Sequence, residues 1–141
     1  MNEYSKIPEI TNYFLFILND TKIEEGIRQI SGLTLKGNIE RSFINIGPNE
    51  IEYFKKNIFM CYLDKRANIR KTISNLVNTF IRIGGLDMWP KVLEILYANL
   101  DNDISVTMCL DTLNVIIEDS GTIIEDKYKN VIYLFTYIVC A

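Results

Sequence analysis

The chain has 141 residues, of which 48% are hydrophobic and 23% charged, and its formal net charge is −3. This globular composition argues against disorder, and the acidic balance argues against a nucleic-acid partner. The sequence contains no histidine, which removes histidine acid–base catalysis, the Ser-His-Asp triad and histidine zinc motifs, so we expect no enzyme and no cofactor.

The first predicted helix begins at Pro8 and runs to Leu18, because its apolar residues recur at helical spacing and proline fits a first helical turn. Residues 19–21 form a turn in which Asp20 or Thr21 is available as a cap. A second helix follows from about Ile23 toward Phe43. The first segment of the chain therefore predicts a helix pair.

A break at residues 46–49 precedes the next predicted helix, whose apolar stripe runs from Ile51 to Tyr62. After a turn at residues 64–68, the most regular amphipathic pattern of the chain predicts a helix that starts at Ile69 and continues past Phe80. Gly84 and Gly85 then predict a left-handed glycine cap at the end of this helix.

A third pair is predicted to open at Trp89 and Pro90, with the tryptophan ring in the core. Its second helix is expected to stop at Ser120 and Gly121. A loop through Asp126 then leads to a seventh helix.

Regular spacing of the prolines indicates that these pairs are repeats. Pro8, Pro48 and Pro90 lie 40 and 42 residues apart, and the Ile-Arg pairs at residues 27–28 and 69–70 recur at 42. Units of 40 to 47 residues with two helices each are typical of HEAT repeats. The predicted fold is therefore all-α, an α-α superhelix of the HEAT or armadillo type with about three antiparallel helix pairs and one extra helix. The chain forms one array over residues 1–141, with repeats at about 8–43, 48–83 and 89–120 and the start of another at 127–141.

A small pattern recurs in the second helices: an arginine is followed four residues later by a small residue, as in Arg28 with Gly32 and Arg70 with Ser74. The third unit has Thr107 and Asp111 at the positions assigned to this pattern. We expect the small residues to allow close helix packing and each arginine to lie near the acidic loop that precedes it, at Asp20 or Asp64. We expect these arginine and aspartate positions to form an inter-repeat polar ladder.

The cysteines at 61, 109 and 140 lie far apart without CxxC spacing, so we expect buried thiols in a reducing compartment. The N-terminus lacks the features of a signal peptide. Residues 131–141 are mostly apolar, but a membrane span needs roughly 20 residues. We therefore expect a buried helix with a missing continuation there, and no membrane insertion.

Three phrases of the sequence resemble nuclear transport receptors of the importin-beta superfamily. Residues 28–38 resemble the family's Leu-Lys-Asn-Asn segment, although Gly37 stands in place of the first asparagine, and residues 84–93 resemble its Trp-Pro helix start. Residues 113–120 resemble its Glu-Asp helix end, and Ile123-Ile124 points to the transportin branch. The resemblance covers residues 8 to 139 and implies repeats two to four and the start of the fifth, within a longer receptor.

This resemblance implies a function in nuclear import. In the family, the N-terminal repeats bind the GTPase Ran in its GTP form through the inner, second helices, and the receptor shuttles between cytoplasm and nucleus. Cargo proteins with nuclear localisation signals bind repeats outside this segment, and nucleoporins bind the full-length receptor. The residues that match the family's motifs are Lys36, Asn38, Glu118 and Asp119, and the resemblance implies that they contact Ran.

Two other interpretations stay open at this point. Lys36 is also compatible with a solvated lysine, Asn38 with a local hydrogen bonder, and Glu118-Asp119 with an ordinary acidic helix end. The whole chain is also compatible with a HEAT-repeat scaffold, such as a phosphatase regulatory subunit. The Trp89-Pro90 and Glu118-Asp119 phrases favour the import receptor over the scaffold.

Overall fold

A computed structural model describes the backbone of residues 10–127 and the side chains of residues 10–116 apart from Leu86. Six α-helices follow one another in this part of the chain: α1 (Ile10–Asn19), α2 (Glu25–Ser42), α3 (Pro48–Asn57), α4 (Ala67–Gly84), α5 (Val92–Ala98) and α6 (Val106–Lys127). The predicted helix start at Pro8, the seventh helix after Lys127 and Cys140 lie outside the described residues.

The helices form three hairpins, α1–α2, α3–α4 and α5–α6, stacked side by side. Helix α2 packs on both α1 and α4, α4 packs on α6, and α1 packs on α3. The second helix of each hairpin therefore contacts the second helices beside it, and no strand occurs between residues 10 and 127. This arrangement confirms the predicted all-α, HEAT-like superhelix.

Helix α4 forms where its apolar period predicts it. Ile69, Ile73, Leu76, Val77 and Phe80 are all buried, at the spacing that places them along one side of a helix. This stripe holds α4 between the neighbouring hairpins.

The end of α4 is set by Gly85, whose N–H donates to the Ile81 carbonyl at 2.8 Å. Its φ of 83° confirms the predicted glycine stop. Its ψ of 159° lies outside the left-handed helical region, in a region open essentially to glycine alone. The predicted positive φ is therefore confirmed, but the predicted left-handed helical conformation is wrong.

The three turns inside the hairpins share one local hydrogen bond. Asp20 Oδ1 accepts from the Lys22 N–H at 3.0 Å, Asp64 Oδ1 accepts from the Arg66 N–H at 2.8 Å, and Asn102 Oδ1 accepts from the Ile104 N–H at 2.8 Å. The prediction that Asp20 or Thr21 caps α2 is therefore wrong, because α2 begins later and Glu24 is its N-cap without a side-chain bond.

Three helix ends differ from the predicted ones. Helix α3 ends at Asn57, although Ile58 and Tyr62 beyond it are still buried. Helix α5 begins two residues after Pro90, behind a short 3-10 turn at Leu86–Met88. Helix α6 continues through Ser120 and Gly121 to Lys127, so the predicted stop and the loop through Asp126 are wrong.

An aromatic cluster fills the space between the second and third hairpins. The Phe54 and Phe80 rings stack with centroids 4.8 Å apart, and the Trp89 ring lies edge-on to Phe80 at 5.5 Å. Trp89 is only 3% exposed, which confirms its predicted place in the core. The cluster joins α3, α4 and the segment before α5 through apolar contact.

Cys61 and Cys109 are buried free thiols, as predicted. Burial raises the pKa of both thiols above the ordinary cysteine value, and the Arg28 guanidinium beside Cys61 opposes that rise only in part. Both sulfurs therefore stay protonated at neutral pH.

Candidate protein-binding surface

The second helices expose a continuous side that faces away from the first helices, and we call it the inner face. On each helix it lies opposite the buried stripe, at spacings of three, four and seven residues. Its exposed or half-buried members include Gly26, Leu33 and Gly37 on α2, Asn68, Lys71 and Asn75 on α4, and Thr107, Asp111 and Asn114 on α6.

The chemistry of the inner face changes from one helix to the next. Helix α2 contributes glycines and the apolar side chain of Leu33, which is 52% exposed. Helix α4 contributes amides and the cationic side chains of Lys71 and Arg82, and α6 contributes the carboxylate of Asp111. Such a graded surface suits a protein partner that offers apolar, anionic and cationic groups in the matching order.

Close packing of α2 and α4 depends on Gly32, as the small-residue pattern predicted. Gly32 is buried, and a Cβ at this position would overlap the Thr72 Cγ2 and lie 3.4 Å from the Leu18 Cδ1. The absent side chain therefore lets two inner helices approach each other, which brings their exposed sides into one surface.

Arg28 and Asp64 join the first two hairpins on the buried side of α2, away from the inner face. Arg28 is fully buried, its Nη2 lies 2.9 Å from the Asp64 Oδ2, and its Nε donates to the Leu18 carbonyl at 2.8 Å. Burial by itself would raise the pKa of Asp64, but the Arg66 N–H and the Arg28 guanidinium outweigh it and hold that pKa below its usual value.

An inter-repeat rung, as predicted, is present at Arg28, but its partner is Asp64 of the following loop and not Asp20 of the preceding one. Arg70 lies at the loop that precedes it, as predicted, but its contact there is no inter-repeat rung. The Arg70 Nη1 donates to the backbone carbonyl of Asp64 at 2.5 Å, within its own hairpin. Counted from the start of each helix, Arg28 is the fourth residue of α2, and the fourth residue of α6 is Cys109. The predicted equivalent in α6, Thr107, is therefore out of register with Arg28, and it is exposed. Arg28–Asp64 is therefore the one rung of this arginine–aspartate pattern in the described part of the chain, and a more exposed ion pair of Arg66 with Glu25 at 3.8 Å accompanies it.

Lys36 and Asn38 lie on opposite flanks of α2. Two residues along a helix turn through about 200°. Lys36 follows Gly32 by one turn, on the flank that faces α4, and it borders the inner face. Asn38 lies two turns after Ser31, whose hydroxyl donates to the Phe14 carbonyl of α1 at 2.8 Å. The structure thus does not bring these two predicted contact residues to one surface.

Glu118 and Asp119 both belong to α6, and their side chains lie outside the described set. Glu118 continues the spacing of Thr107, Asp111 and Asn114, so its register is that of the inner face. Asp119 is rotated from it by about 100°. Of the four predicted contact residues, two have helix positions that suit the inner face. Lys36 borders this face, and Glu118 continues the spacing of its members on α6.

Sequence reasoning missed the contribution of α4 to this surface. Asn68, Lys71 and Asn75 recur three and four residues apart on the side opposite the apolar stripe of that helix. That spacing was visible in the sequence, but without the stacking of α2, α4 and α6 it indicates only a solvated side.

Other kinds of site find little support between residues 10 and 127. Among the described side chains, which end at residue 116, no group of residues could hold a metal ion. A crevice bordered by Thr11, Leu35 and Phe54 is small and apolar. None of the helices described there combines the length and apolar character required to cross a membrane.

Fold and surface together define a class: a HEAT-type helical solenoid whose inner face is suited to holding another protein. The model of the Importin-beta N-terminal domain family matches residues 1–79, more than half of the chain. The chain therefore belongs to the importin-beta family. Within that family it is transportin-like, because the relatives that it resembles include transportins.

Three of these relatives show how far the similarity extends. The chain is 30% identical to Transportin-1 of Homo sapiens over 128 residues, which cover 89% of the chain and 14% of that protein. It is 29% identical to the Transportin of Dictyostelium discoideum over 123 residues, 85% of the chain and 13% of the relative. It is 33% identical to Importin subunit beta-2 of Schizosaccharomyces pombe over 120 residues, 82% of the chain and 13% of the relative. The chain thus spans about one seventh of the length of these relatives.

Proposed function

We propose that this chain is the Ran-binding part of a nuclear import receptor, and that its inner face holds Ran in the GTP form. Membership of the importin-beta family is the observation that carries the proposal. The stacked second helices support it, because they supply an extended surface with apolar, cationic and acidic zones.

Within this surface, Lys36 and Glu118 are the predicted contacts whose registers suit the inner face, joined by Lys71 and Asn75 of α4. Asn38 and Asp119 contribute only if Ran also reaches the flanks of α2 and α6. Cargo proteins with nuclear localisation signals bind other repeats of the receptor, and nucleoporins bind the full-length protein. The receptor shuttles between cytoplasm and nucleus and carries out no catalysis.

The test compares Ran loaded with GTP and with GDP, using the receptor that contains this segment at its natural length. We expect tight binding of the GTP form and little binding of the GDP form. Lys71→Glu, on the inner face, is expected to weaken binding about tenfold or more by reversing a charge inside the interface. Lys56→Glu makes the same change at an exposed position of α3, a first helix that is not part of the inner face, and it serves as the control.

Equal affinity for the two nucleotide forms would refute the Ran proposal. Equal losses in the Lys71 and Lys56 variants would place the contact somewhere other than the inner face. A scaffold role, such as that of a phosphatase regulatory subunit, shares the fold but lacks the support of the family match. Capture of phosphatase subunits in place of a GTPase would favour it.

A further inference from the structure

We propose that the start of α4 and the turn before it form a docking site for an acidic segment of a partner protein. We call this surface the basic patch and define it by Lys65, Arg66 and Lys71. The proposal concerns the charge of the bound segment and does not require that the partner is Ran.

Positive charge is concentrated in one short stretch of an otherwise acidic chain. Four of the seven residues from 65 to 71 are lysine or arginine and none is aspartate or glutamate, whereas the whole chain carries a net charge of −3. Lys65, Arg66 and Lys71 are exposed, and Arg70 is half-buried. Like charges this close together repel one another, so the approach of a negatively charged group is favourable.

The carboxylates that contact this stretch leave most of its charge uncompensated. The Asp64 side chain is 5% exposed and pairs with Arg28, so its charge is cancelled by a second buried charge. Glu25 lies 3.8 Å from the Arg66 Nε, but both side chains are more than a third exposed. Such an exposed pair contributes little, so an acidic ligand can displace Glu25 at small cost. Arg70 donates to a neutral backbone carbonyl and keeps its full charge.

The fold does not require cations at these positions. In the three hairpin turns, which share one local hydrogen bond, the two residues after its acceptor are Thr-Lys at 21–22, Lys-Arg at 65–66 and Asp-Ile at 103–104. Lys71 has the uncharged Gln29 as its counterpart at the 42-residue spacing of the repeat. The basic patch is therefore a feature of one hairpin and not of the repeat, which favours a role in binding.

Acidic residues on both sides of the patch limit its ligand to a short segment. Helices α2 and α6 pack on either side of α4. Glu24 and Glu25 lie at the start of α2, and Asp101 and Asp103 lie in the turn before α6. A long polyanion such as a nucleic acid would extend over these carboxylates and be repelled by them. A few carboxylate side chains on a short protein segment fit the patch without that repulsion.

The experiment measures the binding of fluorescein-labelled octaglutamate to the full chain by fluorescence anisotropy. We expect saturable binding at about 50 mM NaCl, weakened at least about fivefold at about 200 mM NaCl, because salt screens exposed charges. The uncharged peptide octaglutamine is the matched ligand control and is expected not to bind.

Two double variants locate the site. Lys65→Glu combined with Lys71→Glu reverses two charges inside the patch and is expected to weaken octaglutamate binding about tenfold or more. Lys56→Glu combined with Lys91→Glu changes the net charge of the chain by the same amount, at exposed positions on α3 and just before α5. Its effect is expected to be about twofold or less, because these lysines lie outside the patch. All four side chains are exposed, so both double variants are expected to keep the fold.

Several results would overturn the proposal. Equal losses in the two double variants would mean that octaglutamate responds to net charge alone. Failure of octaglutamate to bind at low salt, or equal binding of octaglutamine, would mean that the patch is no docking site for carboxylates. Tighter binding of an oligothymidylate of the same length, lost in the patch variant, would assign the surface to nucleic acid instead. No GTPase takes part in this assay, so its outcome is independent of the Ran test.

Discussion

At the scale of single residues, Asp64 connects more of the fold than any prediction from its sequence context suggested. Its side chain is only 5% exposed, and it accepts hydrogen bonds from the Arg66 N–H and from Arg28 of the preceding hairpin. Its backbone carbonyl accepts from Arg70. One aspartate therefore closes a turn, joins two hairpins and fixes the start of α4.

The lowered pKa of Asp64 predicts acid sensitivity. A carboxyl whose pKa is lower in the folded than in the unfolded chain contributes stability that is complete above the unfolded value, about 3.9, and is lost as the pH falls through the folded value. We expect the free energy of unfolding to decline as the pH falls below about 4. In Asp64→Asn this decline should be shallower, as measured by urea denaturation at several pH values.

The exposed turn residue Asp101 supplies a control for that experiment, because Asp101→Asn removes a carboxyl group without touching Arg28. A decline of the same steepness in the Asp64→Asn and wild-type chains would contradict the assignment of acid sensitivity to the buried ion pair.

Gly32 gives a second prediction at this scale. Gly32→Ala is expected to destabilise the chain by about 1–3 kcal/mol, because the new Cβ would overlap Thr72 of α4. Gly26→Ala is a matched control on the same helix, where the new Cβ meets nothing closer than the Glu24 Oε1 at 3.7 Å. It should stabilise the chain by about 0.4–1 kcal/mol. If both variants shifted the denaturation midpoint in the same direction from wild type, the packing role of Gly32 would be contradicted.

At the scale of helices, the apolar period predicted which segments are helical better than it predicted their ends. The core stripe of α4 lies where the sequence indicated, since burial against two neighbours reinforces a regular pattern. The end of α6 was misplaced because a single glycine costs only about 1 kcal/mol in a helix. The isoleucines at 116–117 and 123–124 lie seven residues apart and continue the helical period past Gly121.

Gly85 tests how much a helix end depends on backbone conformation alone. A Cβ there would meet no atom within 4 Å, so Gly85→Ala adds no steric clash with other residues. Its φ of 83° with ψ of 159° is nevertheless unfavourable for alanine, and we expect a loss of about 1–3 kcal/mol in thermal or urea denaturation.

The control is Gly47→Ala, at the N-cap of α3, where φ is −71° and any residue fits. We expect a smaller effect there. Equal effects at the two glycines would show that the positive φ of Gly85 is not what makes it necessary.

At the scale of the whole molecule, stability is expected to be uneven along the stack. Helix α4 is packed between α2 and α6 and buries nine residues, whereas α5 has seven residues in all. Amide hydrogen exchange should therefore be slowest in α4 and faster in α5, as measured residue by residue with NMR. Uniform protection across both helices would contradict this, because it would mean that the hairpins open only together.

The repeat period was enough to predict the stack of hairpins, because 40- and 42-residue spacings constrain how the helices can pair. The inner face was only partly accessible to the same reasoning. Lys36 and Asn38 are two residues apart in the sequence, but on opposite flanks of α2 in space. Asn68 and Lys71 acquire their place only when α4 stacks beside α2 and α6, an arrangement that no local pattern contains.

The order of chemistries across the second helices gives the solenoid a preferred orientation for its partner. A protein seated on the inner face meets Leu33 at one end of its footprint, Lys71 at the centre and Asp111 at the other end. If that protein were turned end for end, its apolar group would face the Asp111 carboxylate and its cationic group would lose its counter-ion against Leu33. Reversed docking is therefore penalised by desolvation at both ends, and recognition includes direction as well as identity.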